Sequence, residues 1–438
     1  MVRARICALL GLGLMLASAS AESRELEFFV ENRIGGDSNV FREPTKILDP
    51  GPSRRQNKTE DGFWEVSPRV TLRHKNDDLN YNFRYQPTYQ HFFDTSGING
   101  VDHNARAIFD WRINYADSLG FNGDFSDTRR IRSLINDLST DPDPTPEPSD
   151  GERVKRGRGT VYYRRVLTPL LSTRVDYSID EIDYSKRTIS DSRAHSGSAR
   201  LDYSLDSLTS VGVSVSARFR KSKLNQETLP FGNVSIPVMP AREVVSDTET
   251  YDISFSINRA LSRTMDISFQ IGPTWVVSEQ KTSTTFAPNG FPIPGEFTND
   301  DTLSFFAAAR LNKRWKSADF GFNYSRFESG TGGTAASSIV DQIGVNMRYR
   351  IGHTWTFSAY SSWNRREDVT DDLTVGTDNK TTRWLAIGTI QRKLTGNLTL
   401  LGRMQYSNQE QDNTSRRTES EIYSGFISIR YTFDPLVF

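Results

Sequence analysis

The sequence predicts an all-β chain, a transmembrane antiparallel up-and-down β-barrel. Three observations carry this. Apolar and polar residues alternate with period two in runs of about ten residues, the length a tilted strand needs to cross a bilayer; ordinary strands have a mode near five or six. The apolar members of these runs are rich in Tyr, Phe and Trp near the strand ends, as an interfacial aromatic girdle is. The connections alternate between short and long, which an up-and-down barrel shows when one rim faces the periplasm and the other the outside.

The N-terminus comes first. Arg3 and Arg5 precede an apolar core from Ile6 to Leu16, and Ala19-Ser20-Ala21 offers small residues for cleavage. This pattern reads as a secretory signal peptide over residues 1–21, leaving 22–438 as the barrel. The chain's one cysteine, Cys7, lies inside that leader, so the remainder has no disulfide, no thiol nucleophile and no cysteine metal site. The 438 residues carry 54 basic and 54 acidic side chains, and zero net charge argues against a nucleic-acid partner. Mean hydropathy is −0.55, and no apolar run has the ~18–20 residues of a spanning helix.

Five runs show the alternation most clearly. Leu79, Tyr81, Phe83 and Tyr85 oppose Asn80, Asn82, Arg84 and Gln86. Ala107, Phe109, Trp111, Ile113 and Tyr115 oppose Arg106, Asp110, Arg112 and Asn114. Val211, Val213, Val215, Ala217 and Phe219 oppose Ser214, Ser216, Arg218 and Arg220. Tyr251, Ile253, Phe255 and Ile257 oppose Asp252, Ser254, Ser256 and Asn258. Near the end, Tyr423, Gly425, Ile427, Ile429, Tyr431 and Phe433 oppose Ser424, Ser428, Arg430 and Thr432.

Short turns are expected around 75–78, 116–118, 168–169, 205–207, 260–262, 316–317, 352–353 and 395–397. Longer polar stretches fall between them, at 34–61, 93–102, 128–153, 185–191, 222–245, 279–300, 328–338, 364–380 and 408–418. The count is about 18 strands, within 16–18, an even number as in bacterial single-chain barrels. A loose hairpin repeat agrees: "DYSLDSLTSVGVSVSA" and "INRALSRTMDISFQIG" are each strand, Leu-Ser/Thr turn, strand. A hairpin cannot satisfy its own edges, whereas closure pairs every backbone group, as hydrocarbon requires. The last strand, Ile429 to Phe433, is expected to close against the first, near Leu26 to Glu31. Tyr431, Phe433 and the terminal Phe438 resemble the aromatic C-terminal signature that the barrel assembly machinery recognises, although "DPLV" breaks strict alternation.

With apolar residues facing lipid, the alternate positions line a lumen. Candidate pore-lining residues are Arg84, Arg106, Asp110, Arg112, Arg174, Asp176, Arg200, Asp202, Arg218, Arg220, Arg310, Arg348, Arg350, Arg403 and Arg430, with Arg69 and Arg73 beside them. Guanidinium binds carboxylate and phosphate in a bidentate fork, so such a wall would favour anionic or polyhydroxylated solutes. The alternative is that these arginines pair with lumen carboxylates and fill the interior as a solvated network. Other carboxylates fall in the acidic, proline-rich segment Asp141 to Glu152, read as an extended loop. No catalytic residue, metal site or cofactor is indicated. His74, His91, His103, His195 and His353 are scattered, and no nucleophile motif accompanies them, so an outer-membrane hydrolase is the less favoured class.

From "ENRIGGDSNVFREP", Glu31 to Pro44, through "SPRVTLRH", Ser67 to His74, the chain resembles the beta-barrel porin 2 family. The resemblance is carried by Asp37, Asn39, Val40, Phe41 and Arg42, then Pro68 and Arg69, and by the Leu-Ser/Thr turns. It implies an outer-membrane protein of the kind found beside exopolysaccharide and capsule synthesis genes, and brings no catalytic residues. The expected function is a channel in the bacterial outer membrane for export or passage of an anionic exopolysaccharide or its fragments. A general diffusion porin or a structural surface barrel is the alternative. Expected partners are outer-membrane lipid and lipopolysaccharide, the barrel assembly machinery, and polysaccharide export proteins.

Overall fold

The computed structural model describes residues 24–39, 46–47, 59–129, 153–185, 191–226, 242–282, 285–286, 292–293, 295, 297–329, 338–368, 380–413 and 416–437. The expected leader, the acidic segment 141–152 and Phe438 lie outside them.

Eighteen long strands form one sheet. They are β1 (Arg24–Asp37), β2 (Asp61–Lys75), β3 (Leu79–Phe92), β4 (Gly100–Arg112), β5 (Asp117–Arg129) and β6 (Arg153–Thr168). Next come β7 (Leu171–Tyr184), β8 (Asp191–Ser204), β9 (Thr209–Gln226), β10 (Arg242–Ser262), β11 (Met265–Thr282) and β12 (Phe297–Arg314). The rest are β13 (Ala318–Ser329), β14 (Ser338–Ile351), β15 (Trp355–Asp368), β16 (Lys380–Lys393), β17 (Leu398–Asn413) and β18 (Arg416–Thr432). Each pairs antiparallel with its sequence neighbours, and β1 pairs with β18 from Phe29↔Thr432 to Asp37↔Ser424, so the sheet closes. This is an 18-stranded up-and-down barrel, a size that leaves room for an aqueous lumen.

The two faces differ as the alternation requires. On β9 and β10, Val213, Val215, Phe219, Ile253, Phe255 and Ile257 are exposed on the outside. Their neighbours Ser222, Thr248, Thr250 and Ser254 are buried on the inside. So large an exposed apolar surface is unfavourable in water and suits hydrocarbon.

The eight short turns lie at one rim. In six of them a polar side chain accepts backbone N–H groups two or three residues ahead, the local device that makes Asn, Asp, Ser and Thr turn formers. Asn76 caps Asp78 and Leu79, Asn114 caps Ala116 and Asp117, and Thr168 caps Leu170 and Leu171. Asp206 caps Leu208 and Thr209, Ser262 caps Thr264, and Thr395 caps Asn397 and Leu398. The Leu208 N–H, with help from Thr209, holds the Asp206 carboxyl below the ordinary aspartate range. The β14–β15 turn instead uses Gly352 at φ +61°, a left-handed conformation that glycine adopts without strain.

The long-connection rim departs from expectation at its boundaries. The strands run further than the alternation showed: β1 reaches Asp37, β9 reaches Gln226, and β10 spans 21 residues from Arg242. The stretch 408–418 is mostly strand, because β17 runs to Asn413 and β18 starts at Arg416. Beyond the apolar band both faces of a strand are polar, so period two disappears although the ladder continues. The chain end also continues the seam: Leu436 and Val437 pair with Leu26 and Glu25, past the break at Asp434-Pro435.

One feature crosses the interior. β12 and β13 stop pairing at Ala307↔Arg326, although both strands continue. Glu328, near the end of β13, accepts hydrogen bonds from Arg220 on β9 (3.3 Å) and Thr250 on β10 (3.0 Å). Along the wall, four strand steps separate β9 from β13, roughly 19 Å at ~4.8 Å per strand. The end of β13 therefore turns inward and is held there by an ion pair whose side chains are each 2% exposed.

Candidate functional site: the lumen wall

Register puts the candidate residues on the face opposite the exposed apolar belt. Arg84, Arg106, Asp124 and Arg158 are successive partners across β3 to β6, in line with the buried Asp180 on β7. Arg106 lies 3.5 Å from Asp124, and Asp180 accepts from both Arg156 (3.2 Å) and Arg158 (2.8 Å).

Toward the short-turn rim the arginines concentrate. Arg164 on β6, Arg174 on β7 and Arg200 on β8 are direct cross-strand partners, and Arg112 on β4 joins them through Ser118. Like charges directly opposite are unfavourable, so such a row needs compensation. Part is present. Asp176 sits 2.7 Å from Arg174, and Asp202 sits 2.8 Å from Arg200. The Arg174 guanidinium also lies over the Tyr162 ring at 4.1 Å, and the Tyr162 hydroxyl donates to Asp110. Arg112 and Arg164 are exposed and have no ion pair among the described residues. The same half of the interior exposes Arg310, Arg348 and Arg350 on β12 and β14. Arg350 pairs with Asp319 at 2.6 Å, and Arg310 donates to Asn312. Arg218 lies beside Ser196 and Thr250 in the same interior register, one step from Arg220.

The interior toward the long connections is lined largely by buried polar side chains. Its tightest part is the seam. Glu31 is 1% exposed and accepts from Arg33 (3.0 Å), Arg430 (2.8 Å) and Ser428 (2.8 Å). Arg33 also reaches Glu65 at 3.3 Å. Phe29 is stacked between the guanidinium groups of Arg69 (4.3 Å) and Arg430 (4.9 Å). Above it Phe63, Phe92, Ile98 and Phe426 form a buried apolar cluster inside the barrel, with Leu401 against it. Arg403 on β17 is the direct partner of Phe426.

Sequence reasoning did not assign Arg33, Arg156, Arg158, Arg164, Arg366 and Arg383 to this face, nor the carboxylates Glu31, Glu65 and Glu328. Arg156, Arg158, Thr160, Tyr162 and Arg164 do alternate in the sequence. Their outward partners begin with Gly157 and Gly159 rather than apolar side chains, which hides the pattern. Four histidines take the outward register instead. His103 and His195 each bond a tyrosine hydroxyl at 2.8 Å, from Tyr85 and Tyr177; His91 meets Asn99 at 2.9 Å, and His74 stacks on Tyr81. Tyr431 is outward and packs on Phe433, whose ring lies 5.0 Å from Phe28 on β1.

No family model and no curated protein matches the sequence. Among solved structures, the chain is similar to the open form of the ferric-catecholate import receptor Fiu of E. coli K12, at 8% identity and TM-score 0.48, over 93% of this chain and 81% of that one. It is also similar to OccK11 of Pseudomonas aeruginosa, at 12% identity and TM-score 0.40, over 94% and 96%. A third is the siderophore receptor PiuA of Acinetobacter baumannii, at 9% identity and TM-score 0.42, over 93% and 82%. Likeness at this level says nothing about cargo.

Proposed function

We propose that this chain is an outer-membrane channel that passes an anionic, carboxylate-bearing saccharide, an exopolysaccharide or its fragments, along an arginine-lined wall. The observation that carries the reading is the row Arg112, Arg164, Arg174 and Arg200 on neighbouring strands of the open half of the lumen. Two members lack a carboxylate partner among the described residues and two hold theirs at the wall. A mobile anion moving along such a row is drawn in by several weak sites and leaves each easily, which conduction requires. The exposed apolar belt supports a membrane location, and with short turns on the periplasmic side the arginine row faces the periplasm. The aromatic ending, with the resemblance to the beta-barrel porin 2 family, supports delivery by the barrel assembly machinery and a setting beside polymer export.

Planar-bilayer recording tests this. Purified protein should conduct with preference for anions, and a polyuronate added on the arginine side should block the current. A silent barrel, or one indifferent to the polymer, contradicts the proposal. A general diffusion porin is favoured by one observation, the hydroxyl-rich interior of β9 to β11, where Ser214, Ser254 and Gln270 bond one another. Liposome swelling with neutral sugars separates the two, since a general porin discriminates by size alone.

A further inference from the structure

We propose that Arg403 and Gln405 on β17 form a binding station inside the lumen for a hydroxy-carboxylate unit, the chemistry of a uronate; this rests on the channel reading above and names where its cargo pauses.

Arg403 and Gln405 are two residues apart on one strand and share the interior face, which puts their Cα atoms roughly 6.7 Å apart. The Arg403 Nε and Nη2 atoms are shielded from solvent and have no hydrogen-bond partner. Those two nitrogens are the edge a guanidinium offers to a carboxylate in the bidentate fork. Gln405 is 6% exposed, and its Oε1 is likewise buried without a donor. One residue therefore presents two unfilled donors in carboxylate geometry and its neighbour presents one unfilled acceptor. A ligand carrying a carboxylate and a hydroxyl a few ångströms apart fills both.

The surroundings explain why protein groups do not fill them. The carboxylates of the seam are committed: Glu31 to Arg33 and Arg430, and Glu65 to Arg33. The direct partners of Arg403 are Thr389 on β16 and Phe426 on β18, neither of which carries a counter-charge. Arg33 itself lies over the Phe426 ring at 4.9 Å. A half-buried guanidinium with two shielded nitrogens and no counter-ion is unfavourable in the empty protein. Strain of this kind is typical of positions shaped for a ligand rather than for stability.

The test uses folded, detergent-solubilised full-length barrel. Calorimetric titration with trigalacturonate, a charged hydroxy-carboxylate trimer, is compared with maltotriose, its neutral counterpart. Wild type should bind trigalacturonate and not maltotriose. Arg403→Met and Arg403→Lys should each weaken that binding at least tenfold, the lysine because it cannot form the fork. Gln405→Leu should weaken it several-fold. Arg403→Met should melt at the same temperature as wild type or higher, because it removes an uncompensated half-buried charge. Unchanged binding in Arg403→Met overturns the station, as does equal binding of maltotriose. Loss of binding with a large drop in melting temperature assigns Arg403 a structural role and also overturns it. Bilayer recording of the same samples keeps the two proposals apart. Arg403-dependent binding in a silent barrel upholds the station and rejects the conduit. An anion-selective channel with unchanged trigalacturonate binding in Arg403→Met does the reverse.

Discussion

The contact between Arg220 and Glu328 sets the most demanding prediction. Both side chains are 2% exposed, and Glu328 also accepts from the Thr250 hydroxyl. Replacing Glu328 with alanine takes this carboxylate from the buried Arg220 guanidinium. Breaking a buried ion pair from one side destabilises by about 3–5 kcal/mol, mostly the penalty for the stranded charge. Replacing both residues by apolar ones of similar volume removes that penalty, so Arg220→Met with Glu328→Leu should recover much of the loss. Reversible urea unfolding from phospholipid vesicles, followed by tryptophan fluorescence, reads the difference. Limited proteolysis reads the local consequence, because without the pair the end of β13 keeps its ladder to β14 but loses its tie to β9 and β10. If Glu328→Ala lies within about 0.5 kcal/mol of wild type, or if the two single losses simply add in the double variant, the buried clamp is not real.

Three further outcomes follow from the same geometry. Arginine at Ile253, on the outward face, should destabilise by about 2–4 kcal/mol if that face meets the bilayer midplane. Arginine at Asn80, exposed on the interior register, should stay within about 0.5 kcal/mol, and unfolding of the two variants compares them directly. Joint replacement of Arg164, Arg174 and Arg200 by glutamine should shift the reversal potential in a salt gradient away from anion preference while leaving the fold intact. Alanine at both Tyr431 and Phe438 should slow insertion by a reconstituted assembly machinery without lowering the stability of barrels already folded.

Much of the fold was legible because a membrane strand carries one pattern on each face. In Val211 to Arg220 the outward residues are apolar throughout, and the strand and its register followed directly. Legibility failed where that contrast fails. At the seam Phe29 and Phe426 sit on the interior register, where they stack on arginines, so an apolar residue there does not mark lipid. Glu31, Arg33 and Asp37 lie on one face of β1, yet Gly35 and Gly36 beside them made "IGGDS" read as the start of a loop. Gly35 is required by close approach: a Cβ there would lie 2.3 Å from the Gly425 carbonyl oxygen. Arg112, Arg174 and Arg200 could be collected from the sequence, but not Arg164 between them, nor their order around the wall. Which arginines are neighbours depends on the register of each hairpin, and so does which of them find a carboxylate. The inward turn of β13 left no mark, since nothing near Glu328 in sequence points to Arg220, 108 residues away.

A cysteine scan of β9 from Val211 to Ala217, in a Cys7→Ser background, bears most directly on the two-faced cylinder. A membrane-impermeant thiol reagent should modify cysteines at 212, 214 and 216, while a lipid-confined quencher should reach a fluorophore on those at 211, 213, 215 and 217. Uniform labelling along the strand, or the opposite parity, would remove the basis for a lumen, its arginine row and the station on β17.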